Sequence, residues 1–271
     1  MRTGEGSCAG VGARTAAVVV CVLLALPGWA LSPEERGREV FLELDERGSG
    51  YGDYRVALRM ILRSSNGDSS ERYLRIRQLE VPTDGDKLLV VFDTPKAIKG
   101  TALLSFAHKT EPDDQWLYLP ALKRVKKIAS RNKSGPFLGS EFAFEDLSAQ
   151  EIEKYDYRYL RSEDFEGVPC FVVERIPKDE YSGYTRQVVW VDEAYFRIRK
   201  IEYYDRKPEL LKTLTLDGFQ LYQDAFWKPD RMLMRNHQTG KSTELFWEDY
   251  EFDTGLTGDK DFTTNSLKRV Y

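Results

Sequence analysis

Few residue groups in this chain have the types and spacing needed for chemistry, and a phosphate-binding loop is the most specific of them. Gly240-Lys241-Ser242-Thr243 matches the end of such a loop. The loop also needs a glycine five positions before Gly240, where Arg235 stands, and a helix after it. Strand-like alternation flanks the segment on both sides, so we interpret it as a hairpin turn.

Metal, acid–base and thiol chemistry have equally little support. His108 and His237 are too few for a histidine-based metal centre without carboxylates. The pair Glu145-Asp146 could serve a glycosidase, but 44 acidic residues supply many such pairs by chance, and solvated surface acids are the favoured interpretation. Cys170 is typical of a buried strand thiol, because no histidine or basic neighbour activates it. The sequence therefore predicts a protein that is not an enzyme and that uses no metal or cofactor.

The N-terminus predicts export. Residues 16–26 form an uncharged apolar run after Arg2 and Arg14, and small residues Gly28 and Ala30 follow it. This pattern is typical of a cleavable signal peptide over residues 1–30, with an uncleaved anchor as the alternative. The remaining chain, residues 31–271, keeps one cysteine and can form no internal disulfide, which fits a bacterial periplasm.

Composition excludes two other classes of protein. The chain has 271 residues, and its 44 acidic against 40 basic side chains give a net charge near −4, without a nucleic-acid signature. A charged fraction of 31% excludes a polytopic membrane protein, whereas 41% apolar residues can fill a core. We therefore expect one globular domain, monomeric, that does not bind nucleic acid.

One helix precedes a long series of strands. Ser32-Pro33-Glu34-Glu35 is a typical helix start, and Val40, Phe41 and Leu44 form one narrow apolar stripe before Gly48. This stripe predicts a helix lying on the rim of a sheet, where Val40, Phe41 and Leu44 would belong to a lid. From Tyr51 onward the apolar period changes to two, and short turns separate about twelve predicted strands, which favours antiparallel neighbours.

A sheet of about twelve strands tends to curl, and its concave face can line an apolar cavity. Candidates for the cavity wall are the large apolar side chains of the predicted strands, with an ordinary core as the alternative for each. They are Met60, Phe92, Trp116, Trp190, Met232, Met234 and Trp247.

A long connection from about residue 123 to 155 interrupts the strands, and residues 148–154 are predicted to form a short helix. Its first part carries six positive charges in eleven residues with no acid among them: Lys123, Arg124, Lys126, Lys127, Arg131 and Lys133. This basic segment would meet anionic lipid headgroups or an acidic face of a partner. A solvated loop that keeps an exposed sheet edge soluble is the alternative.

One segment that leads into this connection and one within it resemble a known family. Residues 114–128, DQWLYLPALKRVKKI, and residues 137–147, FLGSEFAFEDL, resemble the LolA-like branch of outer membrane lipoprotein-sorting proteins. That branch carries a Trp-x-Tyr-x-Pro strand, a basic stretch and a Gly-Thr-x-Phe-x-x-Glu-Asp-Leu-like element. Here Ser140 replaces the threonine and lysines replace most arginines, which weakens bidentate phosphate or carboxylate contacts at the basic stretch.

The resemblance implies both a fold and a function. The fold is mainly β (α+β), a half-open antiparallel β-barrel of about 11–12 strands with short helices covering its mouth. The function is that of a periplasmic carrier, which binds the acyl chains of lipids or lipoproteins and passes them between envelope partners, including an RND-type inner-membrane transporter. The alternative is a non-carrying accessory subunit of such a transporter, which uses the same fold as a docking platform.

Overall fold

The computed structural model of the protein describes residues 31–269. The predicted signal peptide, residues 1–30, lies outside the described residues. The first element is helix α1 (Pro33–Gly48), which begins as the sequence predicts. The Ser32 hydroxyl accepts a hydrogen bond from the Glu35 backbone N–H at 3.1 Å, and the Glu35 carboxylate accepts one from the Ser32 N–H at 2.8 Å. This reciprocal pair satisfies two backbone donors that the first helical turn leaves free.

Thirteen strands follow in one antiparallel sheet, in the spatial order β6-β5-β4-β3-β2-β1-β13-β12-β11-β10-β9-β8-β7. Among the described residues the two edge strands, β6 and β7, do not pair, so the sheet is open. The strands are β1 Asp53–Arg63, β2 Ser69–Leu79, β3 Lys87–Thr94, β4 Ala102–Phe106, β5 Asp114–Leu119, β6 Arg124–Lys127, β7 Tyr155–Phe165, β8 Val168–Pro177, β9 Arg186–Asp192, β10 Ile198–Tyr204, β11 Leu210–Tyr222, β12 Phe226–Asn236 and β13 Ser242–Phe252. The predicted mainly β, half-open antiparallel fold is confirmed.

The long connection differs from its prediction. It contains the additional strand β6, whose single partly buried apolar residue, Val125, leaves no alternating pattern to detect. The predicted short helix over residues 148–154 is reduced to a 3₁₀ turn at Ile152–Lys154. Ser148 lies before this turn, buried, and its hydroxyl contacts that of Ser105 on β4 at 3.3 Å. The remaining short helices are α2 (Gly258–Asp261) and 3₁₀ turns at Pro120–Leu122, Ser130–Asn132, Phe144–Leu147 and Ser266–Lys268.

Alternation along the strands divides the apolar residues between the two faces of the sheet. One face, here called the inner face, forms a single cluster that includes Val56 on β1, Leu117 on β5 and Val173 on β8. Strands near both edges thus share one core, which requires the sheet to curl. Residues on the opposite face form two smaller clusters, one of them beneath the C-terminal residues Leu256, Phe262 and Leu267.

Helix α1 packs on edge strand β7. The Phe41 ring lies 4.6 Å from that of Tyr157, centroid to centroid, and Val40 is buried beside it. A Cβ at Gly37 would stand 2.7 Å from the Tyr159 backbone nitrogen, so only glycine permits this approach. The close contact joins the helix to the edge of the sheet.

Two predictions about reactive-looking residues are confirmed. Gly240 adopts a φ of +70° in the hairpin turn between β12 and β13, and Ser242 and Thr243 are the first residues of β13. Cys170 is fully buried on β8, and its burial raises the pKa of the thiol to about 11. The thiolate form is therefore unfavourable at neutral pH.

Candidate functional site

A cavity of about 310 Å³ lies on the inner face of the sheet. This volume is at the lower end of the range for ligand pockets, about 300–1,000 Å³. Apolar side chains of β1, β2, β12 and β13 form the wall on the sheet side: Leu58, Met60, Leu74, Ile76, Met232 and Leu245. Residues 137–150, here called the cover segment, supply the other wall through side chains such as Phe137, Phe142 and Leu147.

One end of the cavity is polar. The Tyr51 hydroxyl donates a hydrogen bond to Asp86 at 2.5 Å, and the Gln78 amide donates to the same carboxylate at 3.1 Å. Gln78 also accepts from the Tyr54 hydroxyl at 2.7 Å. Gln78 and Asp86 line the cavity, whereas the two tyrosines do not. The cavity thus joins a long apolar wall to a hydrogen-bonded polar end, which suits an amphipathic ligand.

Charged groups near this end have shifted pKa values. Burial lowers the pKa of Lys228 to about 8, and its ammonium lies 4.6 Å from the centre of the Tyr51 ring. Burial, together with the negative charges of Asp86 and Asp45, raises the pKa of Glu151 to about 7. Glu151 directly follows the cover segment, so its charge near neutral pH affects the groups around the polar end of the cavity.

A buried ion pair anchors the cover segment to the sheet. The Lys212 ammonium on β11 lies 2.6 Å from the Asp146 carboxylate, and the two side chains are 4% and 7% exposed. The same ammonium donates to the backbone carbonyl of Glu141 at 2.9 Å. Asp146 also accepts hydrogen bonds from the Tyr184 hydroxyl at 2.8 Å and from the Ala143 N–H at 2.7 Å. Buried charges need such partners, because an unpaired one costs several kcal/mol.

Further hydrogen bonds join the cover segment to the rest of the protein. Together with the Lys212–Asp146 ion pair, they are here called the polar seam. Glu145 accepts from the Ser182 hydroxyl at 2.8 Å and from the Gly183 N–H at 2.9 Å, and burial together with the Asp146 charge raises its pKa. The Asn236 amide donates to the Glu141 carboxylate at 2.7 Å. The interpretation of Glu145-Asp146 as solvated surface acids is therefore wrong. Asp146 holds the cover segment to the sheet, and Glu145 holds it to the loop between β8 and β9.

The seven predicted cavity residues separate into three groups. Met60, Met232 and Trp247 line the cavity. Phe92 and Met234 lie in the inner core but outside the cavity wall, and Phe92 packs on Phe137 with 5.7 Å between ring centroids. Trp116 and Trp190 do not line the cavity, because strand alternation places them on the opposite face, in the two smaller clusters. Ligand binding by any of the seven stays a prediction.

The predicted lid residues lie elsewhere. Val40 and Phe41 are buried in the inner core, and Leu44 packs against it. None of the three lines the cavity, which is closed by the cover segment instead. A lid function of α1 therefore stays a prediction, whereas the cover segment is the part of the described chain that directly encloses the cavity.

The basic segment lies at the β6 edge of the sheet. Lys123, Arg124, Lys126 and Arg131 are exposed, and so is Lys127, whose ammonium lies 2.5 Å from Asp114. Lys133 is half-buried and pairs with Asp179. Leu122, at the turn into β6, is 63% exposed. The segment thus presents several cations and one apolar side chain to solvent, just before the cover segment begins.

Lys212, Gln78 and Asp86 were not predicted from the sequence. Lys212 had a detectable signal, because it is in phase with the inner-face residues Leu214 and Leu216 on β11. A charge at an apolar-phase position of a strand indicates a buried partner. Gln78 is likewise in phase with Leu74 and Ile76 on β2 but carries no charge, and Asp86 lies in the turn before β3, so neither gave such a signal.

Two negative findings apply to residues 31–269. Within that range, no group of three or more histidine, cysteine, aspartate or glutamate side chains is arranged to hold a metal ion. No helix in the same described range has the length and apolar character required to cross a membrane.

Comparisons with known proteins place the fold. A family model described as an uncharacterized protein matches residues 84–269, and no curated protein matches the chain. A Vibrio parahaemolyticus domain assigned to the outer membrane lipoprotein-sorting proteins is 54% identical, with a TM-score of 0.85; the match covers 87% of this chain and 100% of that one.

Two further solved structures are similar. A DUF1329 family protein from Desulfovibrio piger is 26% identical, with a TM-score of 0.83, over 88% of this chain and 100% of its own. A LolA superfamily protein from Nitrosomonas europaea shares the fold at 19% identity, with a TM-score of 0.69, over 87% of this chain and 99% of its own. The inner-face cavity, the open antiparallel sheet and the 54% identity lead to one conclusion. The chain belongs to the family of outer membrane lipoprotein-sorting proteins.

Proposed function

We propose that this protein is a periplasmic carrier that binds acyl chains of lipids or lipoproteins in the inner-face cavity. The observation that carries the proposal is the cavity itself, with its apolar wall of sheet residues and its separate cover segment. The role requires neither catalysis nor a cofactor. It also agrees with membership of a lipoprotein-sorting family.

The energetics suit a carrier. Each methylene removed from water contributes about 0.8 kcal/mol, so ten of them contribute roughly 8 kcal/mol before the cost of ordering the ligand. Without that cost, about 8 kcal/mol would correspond to a Kd near 1 μM, so ten buried methylenes give micromolar affinity at most, and additional methylenes of a longer chain offset the cost. Cargo held at this strength exchanges readily when a receiving partner offers a better site.

We further propose that the protein acts as a monomer and hands its cargo to envelope partners, among them an RND-type inner-membrane transporter. The resemblance of residues 114–147 to the LolA-like branch supports this part of the proposal. The exposed basic segment would provide the contact, because it can meet either anionic headgroups or an acidic partner surface. Export through a signal peptide over residues 1–30 belongs to the same proposal.

A second candidate function is a non-carrying accessory subunit of an envelope transporter. The exposed basic segment favours it, because this surface lies apart from the cavity wall and would dock a partner without cargo. The two candidates make opposite predictions about lipid. The carrier holds it, and the accessory subunit does not.

Lipid extraction and mass spectrometry of protein purified natively from the periplasm distinguish these candidates. The carrier is expected to contain acyl lipids or an acylated peptide, and the delipidated protein is expected to bind an acyl fluorophore at micromolar concentration. Protein that carries no lipid and does not bind the fluorophore would exclude the carrier and leave the accessory subunit.

A further inference from the structure

A second cavity, of about 600 Å³, lies at the C-terminal end of α1. The end of this helix, the connection between β9 and β10, and strands β11 and β12 form its walls, and it is here called the α1 cleft. No residue of the described chain lines both this cleft and the inner-face cavity, so the two are separate sites.

The guanidinium group of Arg197 lies among aromatic rings of the cleft wall. Its central carbon is 4.6 Å from the ring centre of Tyr195, 4.7 Å from that of Phe219 and 4.6 Å from that of Trp227. Arg197 and all three ring residues line the cleft. Rings that stack on the faces of a guanidinium leave its edge for hydrogen bonding.

Part of that edge has no partner. Arg197 Nε donates to the Asp192 carboxylate at 2.6 Å, whereas Nη1 and Nη2 make no hydrogen bond to any residue of the described chain. Within residues 31–269, the buried side-chain atoms that lack a hydrogen bond belong to other residues: Tyr157, Arg199 and Trp247. The unpaired nitrogens of Arg197 are therefore open to solvent, and a ligand can reach them.

The chemistry of this group favours an oxyanion. A guanidinium only donates hydrogen bonds, and its planar fork fits two oxygens of one carboxylate or phosphate. Such charge-assisted bonds are about twice as strong as neutral ones. Because Asp192 uses only Nε of Arg197, a second anion can bind at the Nη nitrogens without displacing it.

Other charges at the cleft agree with an anionic ligand. Arg47 and Lys228 also line it, and Glu46 is the single acid among the described residues that do so. Arg47 pairs with Glu43 at 2.6 Å, whereas no carboxylate of the described chain lies within 4.0 Å of the Lys228 ammonium. Lys228 is therefore a second cation with room for an anion.

The rest of the wall suits an apolar group. Phe196, Phe226 and Leu216 line the cleft beside the rings that surround Arg197. Tyr195, whose ring centre is 5.0 Å from that of Trp227, is 48% exposed. An exposed aromatic surface next to unpaired donors is typical of a site that holds the apolar part of a ligand.

We propose that the α1 cleft binds an oxyanion joined to an apolar group, with the Arg197 guanidinium as the receptor for the oxyanion. Fatty carboxylates and phosphate esters of lipids share this chemistry. The site goes beyond the proposed acyl cavity, because it lies outside that cavity and selects its ligand by charge.

Two tryptophans allow the two sites to be observed separately in the wild type. Trp227 lines the α1 cleft and Trp247 lines the inner-face cavity, so their indole N–H resonances in ¹⁵N-tryptophan-labelled protein report on one site each. The spectra of Trp227→Phe and Trp247→Phe assign the two resonances. Delipidated protein is titrated with dodecanoate, dodecyl phosphate, the neutral dodecyl maltoside and inorganic phosphate.

The Trp227 resonance should respond to both dodecyl anions at concentrations about 10- to 100-fold lower than to dodecyl maltoside, the range of hydrogen bonds to a charged group. Inorganic phosphate, which lacks the apolar group, should need a concentration at least about 10-fold higher than dodecyl phosphate. The tighter of the two dodecyl anions shows whether a carboxylate or a phosphate is preferred.

Arg197→Lys keeps a cation beside Asp192 but removes the planar fork, so the affinity for dodecyl phosphate at Trp227 should fall about 10-fold. Arg186→Lys is the matched control, because Arg186 also stacks on a ring, that of Tyr204 at 3.5 Å, and pairs with Glu174 away from the cleft. This control should bind as the wild type does.

The outcomes separate this inference from the carrier function. Equal responses of Trp227 to dodecyl phosphate and dodecyl maltoside, or to dodecyl phosphate and inorganic phosphate, would refute the proposed site. Unchanged affinity in Arg197→Lys would refute the role of Arg197. A Trp247 resonance that responds to no dodecyl ligand would count against the acyl cavity instead, whatever Trp227 shows.

Discussion

Replacing Lys212 with methionine removes the cation that holds the cover segment. Methionine approximates the length of the lysine stem and fills space flexibly, so the change removes charge with little loss of packing. Asp146 would then keep only the Tyr184 hydroxyl and the Ala143 N–H as partners, at 2.8 and 2.7 Å. The carboxylate, 7% exposed, would have lost its only counter-charge within 4.0 Å among the described residues.

The expected loss is large. Removing one member of a buried ion pair costs about 3–5 kcal/mol, because the other charge remains buried. A domain of this kind has a total stability of only about 5–15 kcal/mol. We therefore expect Lys212→Met to lower the free energy of unfolding by about 3–5 kcal/mol and to accelerate release of a bound acyl fluorophore. The second effect is expected because Lys212 also holds the cover segment through the Glu141 carbonyl.

Urea unfolding of Lys212→Met, Asp146→Asn and the double variant measures the pair as a coupling energy. Neighbours in one network are expected to be non-additive by about 0.5–3 kcal/mol. Lys200→Met is the matched control, because Lys200 pairs with Glu202 at 2.7 Å on neighbouring strand β10, with side chains 19% and 20% exposed. If Lys212→Met costs no more than this control, or if the two single changes are additive, the pair does not hold the cover segment.

Three other changes test separate surfaces. Phe41→Ala is expected to cost about 3–5 kcal/mol in thermal or urea unfolding, because the ring is 3% exposed and packs on Tyr157; a smaller loss with reduced lipid retention would instead support α1 as a lid. Reversal of Lys123, Arg124, Lys126 and Lys127 to glutamate should preserve folding and slow cargo transfer to acceptor vesicles. The effect should be smaller at high salt, because charges are screened beyond about 10 Å at 0.1 M. Equal transfer rates for the wild type and this variant at low salt would show that the basic segment is only a solvated loop. Glu151→Gln should flatten the pH dependence of the melting temperature. Burial and the negative charges of Asp86, Asp45 and Glu153 raise the pKa of Glu151 to about 7, although Lys154 opposes this shift. The folded state therefore binds the proton more tightly than the unfolded state, and stability falls as pH rises from about 5 to about 7. An unchanged slope in this variant would contradict that assignment.

Local patterns were sufficient to predict the strands and one of their faces. Period-two alternation along β1 identifies Val56, Leu58 and Met60 as one face, and the structure places all three in the inner core. Capping residues likewise predicted the start of α1, because a capping box needs only residues three positions apart. Each of these predictions depends on neighbours in the sequence.

Long-range contacts could not be predicted in this way. The Lys212–Asp146 pair joins residues 66 positions apart, so no local pattern connects them. Both faces of this sheet carry apolar clusters, and a tryptophan on a strand is therefore compatible with either face. For this reason the sequence did not distinguish Trp247, which lines the cavity, from Trp116 and Trp190, which lie on the opposite face.

The polar seam has a physical consequence for the proposed carrier, whose cavity would open and close to load and release cargo. An apolar seam of equal volume could match it in stability, since buried ion pairs are often no stronger than good apolar packing. The two seams differ once the cover segment separates from the sheet. Water can solvate Lys212, Asp146 and Glu145, whereas Phe137 and Phe142 would lose their apolar surroundings. In the proposed carrier, an acyl chain bound in the cavity would cover those two rings and so lower the cost of an open state that the polar seam already tolerates.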